Sequence, residues 1–291
     1  MPTAIRSKGF IALALLPALL LFLVFVIVPV FWSMYYGFFN WKGLGEAKFI
    51  GLDNYVEILN DPVFWRALRN NLIIVASSII GQIPIALILA LLLLRNSFFS
   101  RLIRSAVFMP MVLSTVVVGL IWGYIYHPQF GLANKVLEII GLESWTRAWL
   151  SDPKVNMLAI SIPINWSNIG PYMVIFIAAL QNISSEINDA AKIDGATGWK
   201  KLTRVTLPMI WGTVIVTLIL CISGSLKAFD HVIVMTGGGP AQSTELLATY
   251  MYNNTFDVYR YGYGSAVSTM IIIISALLIT INYVLTRRKE S

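Results

Sequence analysis

Long stretches without a charged residue alternate with shorter polar segments along this chain of 291 residues. Six stretches contain no Asp, Glu, Lys or Arg, and each has the roughly 20 residues that a helix needs to cross a bilayer. They cover residues 9–40, 70–94, 105–133, 155–185, 205–226 and 261–286. The pattern predicts an all-α integral membrane protein, a single domain over 1–291. Its six transmembrane helices are expected at about 10–36, 70–94, 105–126, 155–181, 207–229 and 263–286.

The composition supports this interpretation. The chain is 57% hydrophobic and only 12% charged, and its mean hydropathy is +0.76, whereas a soluble domain carries about 25% charged residues. The first apolar stretch is longer than the roughly 7–15 residues of a cleavable signal peptide, so we expect an uncleaved first span. Because Cys221 is the only cysteine, no disulfide can form within the chain. Asp61 followed by Pro62 is a plausible helix start.

Positive charges divide unequally between the two sides of the predicted bundle. Six spans place both termini on one side, together with segments 95–104 and 182–206. That side carries 12 Lys and Arg against four acidic residues, and the opposite side carries eight against ten. By the positive-inside rule both termini lie in the cytoplasm. The net charge of +7 then reflects topology and contact with anionic lipid headgroups, and it requires no nucleic acid.

The cytoplasmic loop 182–206 combines small, apolar and basic residues. Ser184 or Ser185 can cap a short helix, and Gly195 suits a left-handed position at the end of that helix. A second short helix is predicted next, and Pro208 then begins the fifth span. The loop could be an amphipathic segment at the lipid surface, or it could be a docking site for another protein.

The residue spacing in this loop favours docking, because it resembles the EAA motif of the membrane subunits of binding-protein-dependent ABC importers. That motif reads Glu-Ala-Ala, then Gly, then Ile-x-Leu-Pro, and the family also has Asp-Gly-Ala around the glycine. Asp189 replaces the Glu on a shorter arm, and Val205 replaces the Ile. The residues expected to couple to an ATPase are Asp189, Ala190, Ala191, Asp194, Gly195, Ala196, Leu202, Leu207 and Pro208.

Two outward segments extend the resemblance over almost the whole chain. Residues 51–55, Gly-Leu-Asp-Asn-Tyr, are similar to the segment after the first span in sugar permeases. Residues 236–240, Thr-Gly-Gly-Gly-Pro, with Tyr250 and Tyr252 after them, are similar to the outward loop of the maltose-permease type of first subunit.

The resemblance implies a type I ABC importer permease in a bacterial or archaeal cell membrane, dedicated to sugars and above all to oligosaccharides. Its implied partners are a second six-span permease subunit, two ATPase subunits and an extracytoplasmic solute-binding protein. The chain has no G-x-x-x-x-G-K-[ST] sequence. It is therefore not expected to be an enzyme or to bind a cofactor, and ATP and magnesium would bind to the partner ATPase.

Polar residues inside the predicted spans are candidates for solute contact, because they are costly in a bilayer. Asn165, Asn168 and Tyr172 recur at i, i+3 and i+7 and share one helix face. Amides can bridge sugar hydroxyls, and an aromatic ring can stack on a sugar ring. The alternative is that these amides link helices to one another. The candidate substrate-binding residues, including those that the resemblance adds, are Asn165, Trp166, Asn168, Tyr172, Ser225 and Phe229.

Other function classes fit less well. A secondary transporter or an intramembrane enzyme needs charged residues within the spans, and none of the six stretches contains one. The two histidines, His127 and His231, are far apart in sequence and have no cysteine partner, so no metal site is expected. The same importer class could carry glycerol phosphate or a peptide, but only Lys227 lies close to the pathway as a phosphate partner.

Overall fold

The structure is a computed structural model that describes residues 8–287, and within this range it is mostly helical. The described chain forms two compact units. The first contains the residues up to Asp61 together with Met251–Ile272, and the second contains Pro62–Tyr250 and the residues from Ile273 onward. Four charges that enter the topology count lie outside the described residues: Arg6, Arg288, Lys289 and Glu290.

The first unit begins with one long apolar rod. It consists of α1 (Lys8–Phe22), a π-helical turn (Leu23–Ile27) and α2 (Val28–Tyr36). Large apolar side chains along it stand exposed, as a face turned to lipid requires. A short hairpin follows, in which two strands of two residues each, β1 (Phe39–Asn40) and β2 (Lys48–Phe49), pair antiparallel.

A short helix, α3 (Asp53–Asn60), closes this unit by polar contacts. The buried Asn54 amide donates to the carbonyl oxygens of Gly37 at 2.9 Å and Phe39 at 3.0 Å. Arg260 makes a two-pronged ion pair with Glu57, at 2.8 and 2.6 Å. The sequence motif 51–55 thus serves to tie α3 to the end of α2.

The second unit is built around α4 (Pro62–Leu92), which begins at Pro62 as the sequence predicts. Its main partners are α8 (Asn156–Gln181) and α12 (Trp211–Leu226). Met173 and Phe176 of α8 and Ala86 and Ala90 of α4 are fully buried where the two helices meet. The remaining helices in order are α5 (Phe98–Val112), α6 (Thr115–Ile125), α7 (Leu132–Ile139), α9 (Ser185–Ile193), α10 (Gly198–Lys201), α11 (Leu207–Met209), α13 (Asp230–Met235), α14 (Leu247–Tyr252) and α15 (Tyr261–Arg287).

Two predicted spans contain sharp bends. Between α5 and α6 the axis turns by 100°, and between Gly198–Met209 and α12 it turns by 73°. Pro110 lacks the donor that would stabilise the last turn of α5, and Leu113 after that turn is extended. Pro208 lies in the short helix before the second bend, and the long helix of the fifth predicted span begins at Trp211.

Proline does not break α8, although Gly170-Pro171 in the sequence can end a helix. The helix continues through both Pro163 and Pro171, as proline is tolerated in helices of membrane proteins. A Cβ atom on Gly170 would lie 2.6 Å from the carbonyl oxygen of Val107 and 2.7 Å from the Cα atom of Phe108. Gly170 thus allows the α5 backbone to approach α8 closely.

The described residues contain three helices that are long and apolar enough to cross a membrane, or up to five if each bent pair is one span. The helix at the fourth predicted span is not among them. It has 26 residues, enough for about 39 Å at a rise of roughly 1.5 Å per residue, but asparagine, serine and proline lower its hydropathy. The count of six spans and the side of the termini stay predictions.

Candidate functional site

The loop 182–206 folds into two short helices, and both ends of the first, α9, match the sequence prediction. The Ser184 hydroxyl caps α9 by accepting the backbone N–H of Ile187 at 3.4 Å. Gly195 ends α9 with a φ of +68°, which confirms the predicted left-handed position. Its N–H donates to the Lys192 carbonyl at 3.1 Å, and the Ala196 N–H donates to the Ala191 carbonyl at 2.8 Å. These two bonds form the Schellman arrangement that a glycine favours.

The outer surface of this loop is open and carries both charged and apolar groups. Lys192 Nζ lies 2.8 Å from Asp189 Oδ1, and both side chains are about two-thirds exposed. The hydrogen bond and charge of Lys192 hold the pKa of the Asp189 carboxyl below its usual range. Trp199 is 77% exposed and Ile193 is 87% exposed. The open surface of the loop thus carries large apolar side chains beside a charged pair.

The predicted coupling residues occupy both sides of the loop, and their role in docking stays a prediction. Five of them are exposed: Asp189, Ala190, Asp194, Gly195 and Pro208. Ala196, Leu202 and Leu207 are half-buried. Ala191 is 5% exposed, so its small side chain supports α9 from within.

A cavity of about 330 Å³ separates the loop from the helix ends beneath it. Its wall combines the ends of α4 and α8 with residues of the loop, namely Leu91, Leu94, Leu180, Ile183, Asn188, Gly198, Lys201, Leu202 and Thr206. The loop continues directly from α8 and leads through the 73° bend into α12. A force on the loop would therefore reach both helices that pack against α4.

Asn165 lies at the interface of α8 and α4, and its amide is fully engaged there. Its nitrogen donates to the carbonyl of Ser77 at 3.3 Å and to the hydroxyl of the same residue at 3.0 Å. Its oxygen accepts from the Ser78 hydroxyl at 3.2 Å and from Gln82 Nε2 at 3.0 Å. With these four bonds Asn165 links α8 to α4. Linking helices is the role that the sequence left open as the alternative to solute contact.

The other α8 candidates have different surroundings. Asn168 is half-buried, and its amide donates to the Ile164 carbonyl of the same helix at 2.8 Å. Trp166 is 38% exposed and packs edge-on against Trp122, with 6.0 Å between ring centroids. Tyr172 is 8% exposed within the apolar core. Of this set, Asn168 and Trp166 are the most accessible to a solute.

Ser225 and Phe229 lie at the end of α12 and just beyond it. Ser225 is 2% exposed, and its carbonyl accepts from Asn71 Nδ2 of α4 at 3.3 Å. The Asn71 oxygen in turn accepts the Leu247 N–H at 2.8 Å. Phe229 is half-buried in the turn before α13. Ser225 and Asn165 thus both contact α4. The α4 partners of Asn165 follow Asn71 by six to eleven positions, which corresponds to about 9–17 Å of helix rise.

A second, larger cavity of about 840 Å³ contains residues that sequence reasoning missed. Arg66 and Arg69 line it from the first turns of α4, and Lys154 lines it from the segment before α8. In the sequence these cations count only as topology signals. The i, i+3 spacing of Arg66 and Arg69 on one helix, with Lys154 just before another helix, was the available sequence signal for a basic cavity. The remaining lining residues are Asn70, Ile73, Pro153, Met157, Leu158, Pro240, Ala241 and Ser243.

Comparison with known proteins gives consistent matches. The family model described as "Binding-protein-dependent transport system inner membrane component" matches residues 82–291. The chain is 36% identical over 269 residues to the probable ABC transporter permease protein YurN of Bacillus subtilis, covering 91% of this chain and 92% of that one. It is 35% identical over 278 residues to the lactose transport system permease protein LacF of Rhizobium radiobacter, covering 94% and 93%.

A solved structure has the same fold. It is a chain from a bacterial ABC transporter involved in the import of the acidic polysaccharide alginate. The TM-score is 0.82 at 24% sequence identity, and the match covers 98% of this chain and 97% of that one.

Proposed function

Since this chain belongs to the family of inner membrane components of binding-protein-dependent transport systems, we propose that it forms half of the pathway of an ATP-driven sugar importer. The chain is a transporter permease subunit with a type I permease fold. In the proposed complex it pairs with a second permease subunit. Two ATPase subunits bind at the cytoplasmic face, and an extracytoplasmic binding protein delivers the solute.

The loop 182–206 is the observation that carries the proposed coupling. It presents Ile193 and Trp199 on its open surface, and its shape is fixed by the left-handed Gly195. It also connects α8 to α12, and these two helices with the turn after α12 contain the candidate solute residues. Closure of the ATPase subunits would pull on this loop and tilt the two helices together, which would change the side to which the pathway opens.

Two arguments support a sugar as the solute. The relative LacF is named as a lactose permease, and this chain matches nearly all of its length. In addition, α8 exposes an amide at Asn168 and, on a different helix face, an aromatic ring at Trp166. Amides bind sugar hydroxyls, and aromatic rings stack on sugar rings. Oligosaccharides are the proposed substrate class.

Cysteine labelling tests the proposed position of the loop. Cys221 is 1% exposed and can stay in place, so the unaltered chain serves as the unlabelled control. Trp199→Cys and Leu44→Cys each place a thiol at an exposed position, 77% and 90% exposed respectively. A membrane-impermeant maleimide should label Leu44→Cys in intact cells and Trp199→Cys only in inside-out vesicles. Bound ATPase subunits should protect Trp199→Cys, and removing them should expose it.

Labelling of Trp199→Cys from outside, or labelling that the ATPase subunits do not affect, would contradict the docking proposal. An amphipathic loop that only contacts lipid would show the second of these results.

The solute class is tested by ATPase stimulation. The complex in proteoliposomes is mixed with its binding protein carrying either an oligosaccharide or a non-sugar solute such as glycerol phosphate. We expect stimulation with the saccharide-loaded protein and basal activity with the other. Stimulation by the phosphate-loaded protein alone would defeat the sugar proposal and leave the importer class intact.

A further inference from the structure

The 840 Å³ cavity, here named the basic cavity, is lined by positively charged side chains and by no negatively charged ones among the described residues. Arg66, Arg69 and Lys154 line it, and its lining contains no Asp or Glu among the described residues. The nearby Asp152 instead forms an ion pair with Arg147 at 3.6 Å. Three cations therefore line one open space whose described lining residues include no carboxylate, and they favour an anionic ligand.

The basic cavity lies at the opposite end of the helices from the loop 182–206. Lys154 precedes the first residue of α8, whereas the loop follows its last residue, 26 residues later. Arg66 and Arg69 likewise lie near the start of α4, and Leu91 at its other end lines the loop cavity. If the loop faces the cytoplasm, the basic cavity opens to the outside.

The segment at the rim of this cavity has an unusual backbone. Ala241 and Gln242 both have a positive φ, +47° and +60°. Residues other than glycine adopt this backbone conformation only at a cost in free energy. Arg66 Nη1 donates to the Ala241 carbonyl at 3.0 Å. Asn70 Nδ2 donates to the carbonyls of Ser243 and Glu245, each at 2.9 Å. These bonds hold the 240–243 segment at the rim of the cavity.

The lining favours an acidic protein segment over a free sugar. No aromatic ring lines the cavity among the described residues, so a sugar ring has nothing to stack on. The Asn70 amide nitrogen is already bonded to two carbonyls, and the Ser243 hydroxyl accepts from Asn156 at 2.8 Å. The remaining lining groups are the long basic side chains and apolar residues. Carboxylates on the surface of a protein suit such cations, because they steer association and fix its orientation.

We propose that the basic cavity receives an acidic surface segment of the extracytoplasmic binding protein. This inference rests on the proposed function and adds the surface and the chemistry by which the partner is held. Arg69 and Lys154 form the direct electrostatic contact. Arg66 holds the 240–243 segment in place and adds its charge.

The test measures the affinity of the binding protein for the whole complex in nanodiscs. The variant Arg69→Glu/Lys154→Glu reverses two charges at residues that form no ion pair within the described chain. The matched control, Lys42→Glu/Lys48→Glu, makes the same change of charge at two exposed lysines on the predicted outward side. We expect the test variant to bind at least about tenfold more weakly, mainly through a slower association rate. The control should stay within about twofold.

Salt and solute provide independent readouts. The wild-type affinity should fall as ionic strength rises, and this dependence should flatten in the test variant. An unchanged dissociation constant in the test variant would overturn the proposal. If the test variant takes up less of an acidic saccharide while its dissociation constant for the binding protein is unchanged, the cavity is a solute subsite. If the only change in the test variant is that transport no longer requires anionic lipid, the cavity binds lipid headgroups. Failure of the wild-type complex to respond to any binding protein would instead refute the proposed function.

Discussion

Replacing Gly195 by valine is expected to abolish solute uptake and to release the ATPase subunits, while the chain still inserts into the membrane. Gly195 has a φ of +68°, and a Cβ atom there would meet no other atom within 4 Å. The effect is therefore one of backbone conformation alone. A left-handed conformation costs a side-chain-bearing residue about 1–2 kcal/mol, and a β-branched one lies at the upper end. The two hydrogen bonds that end α9 would break, and the second short helix would turn away.

The measurements are uptake in cells and co-purification of the ATPase subunits, both against an unchanged amount of membrane-inserted chain. Gly212→Val is the matched control, because Gly212 also has open space around its Cβ position but has no positive φ. It should keep near-normal uptake. Gly195→Asn should retain part of the activity, since asparagine tolerates the left-handed region better than other side chains. Normal uptake together with normal co-purification in Gly195→Val would refute the docking role of this loop.

The end of α9 shows why part of this structure could be predicted from sequence. Ser184 and Gly195 act through bonds to their own neighbours in the chain, so residue type and spacing suffice to predict them. The apolar stretches were predictable for a similar reason, because each helix satisfies its own backbone. Pro62 at the start of α4 was predictable for the same reason, because a proline favours the first position of a helix through its own backbone.

The bends and the polar contacts between helices depend instead on the packing partner. Pro110 is visible in the sequence, but a proline within α8 leaves that helix unbroken. Only the neighbouring helices decide which outcome occurs. The partners of Asn165 on α4 and the convergence of Lys154 with Arg69 have the same origin. Sequence spacing places residues on a helix face, but it does not say which helix that face meets.

Truncating Asn165 to alanine is expected to destabilise the membrane domain, which differs from the change of ligand preference that its position in the sequence suggested. The substitution removes four hydrogen bonds between α8 and α4. Such bonds average about 0.6 kcal/mol each in membrane proteins, so the expected decrease in the free energy of unfolding is about 2 kcal/mol. Gln82 and Ser78 would also be left without their acceptor in an environment without water. The expected results are a lower unfolding temperature in detergent and less assembled complex.

Asn168→Ala is the matched control, because it removes the same amide one helical turn away. The Asn168 nitrogen donates only to the Ile164 carbonyl of its own helix, so its removal should change the unfolding temperature little. If Asn168 faces the solute, this variant should raise the solute concentration needed for half-maximal uptake. A stable Asn165→Ala chain with altered solute preference would assign Asn165 to the pathway and disprove its role as a helix link. The pair therefore separates the two functions of asparagine on α8, because only an amide that joins two helices contributes to the stability of the empty permease.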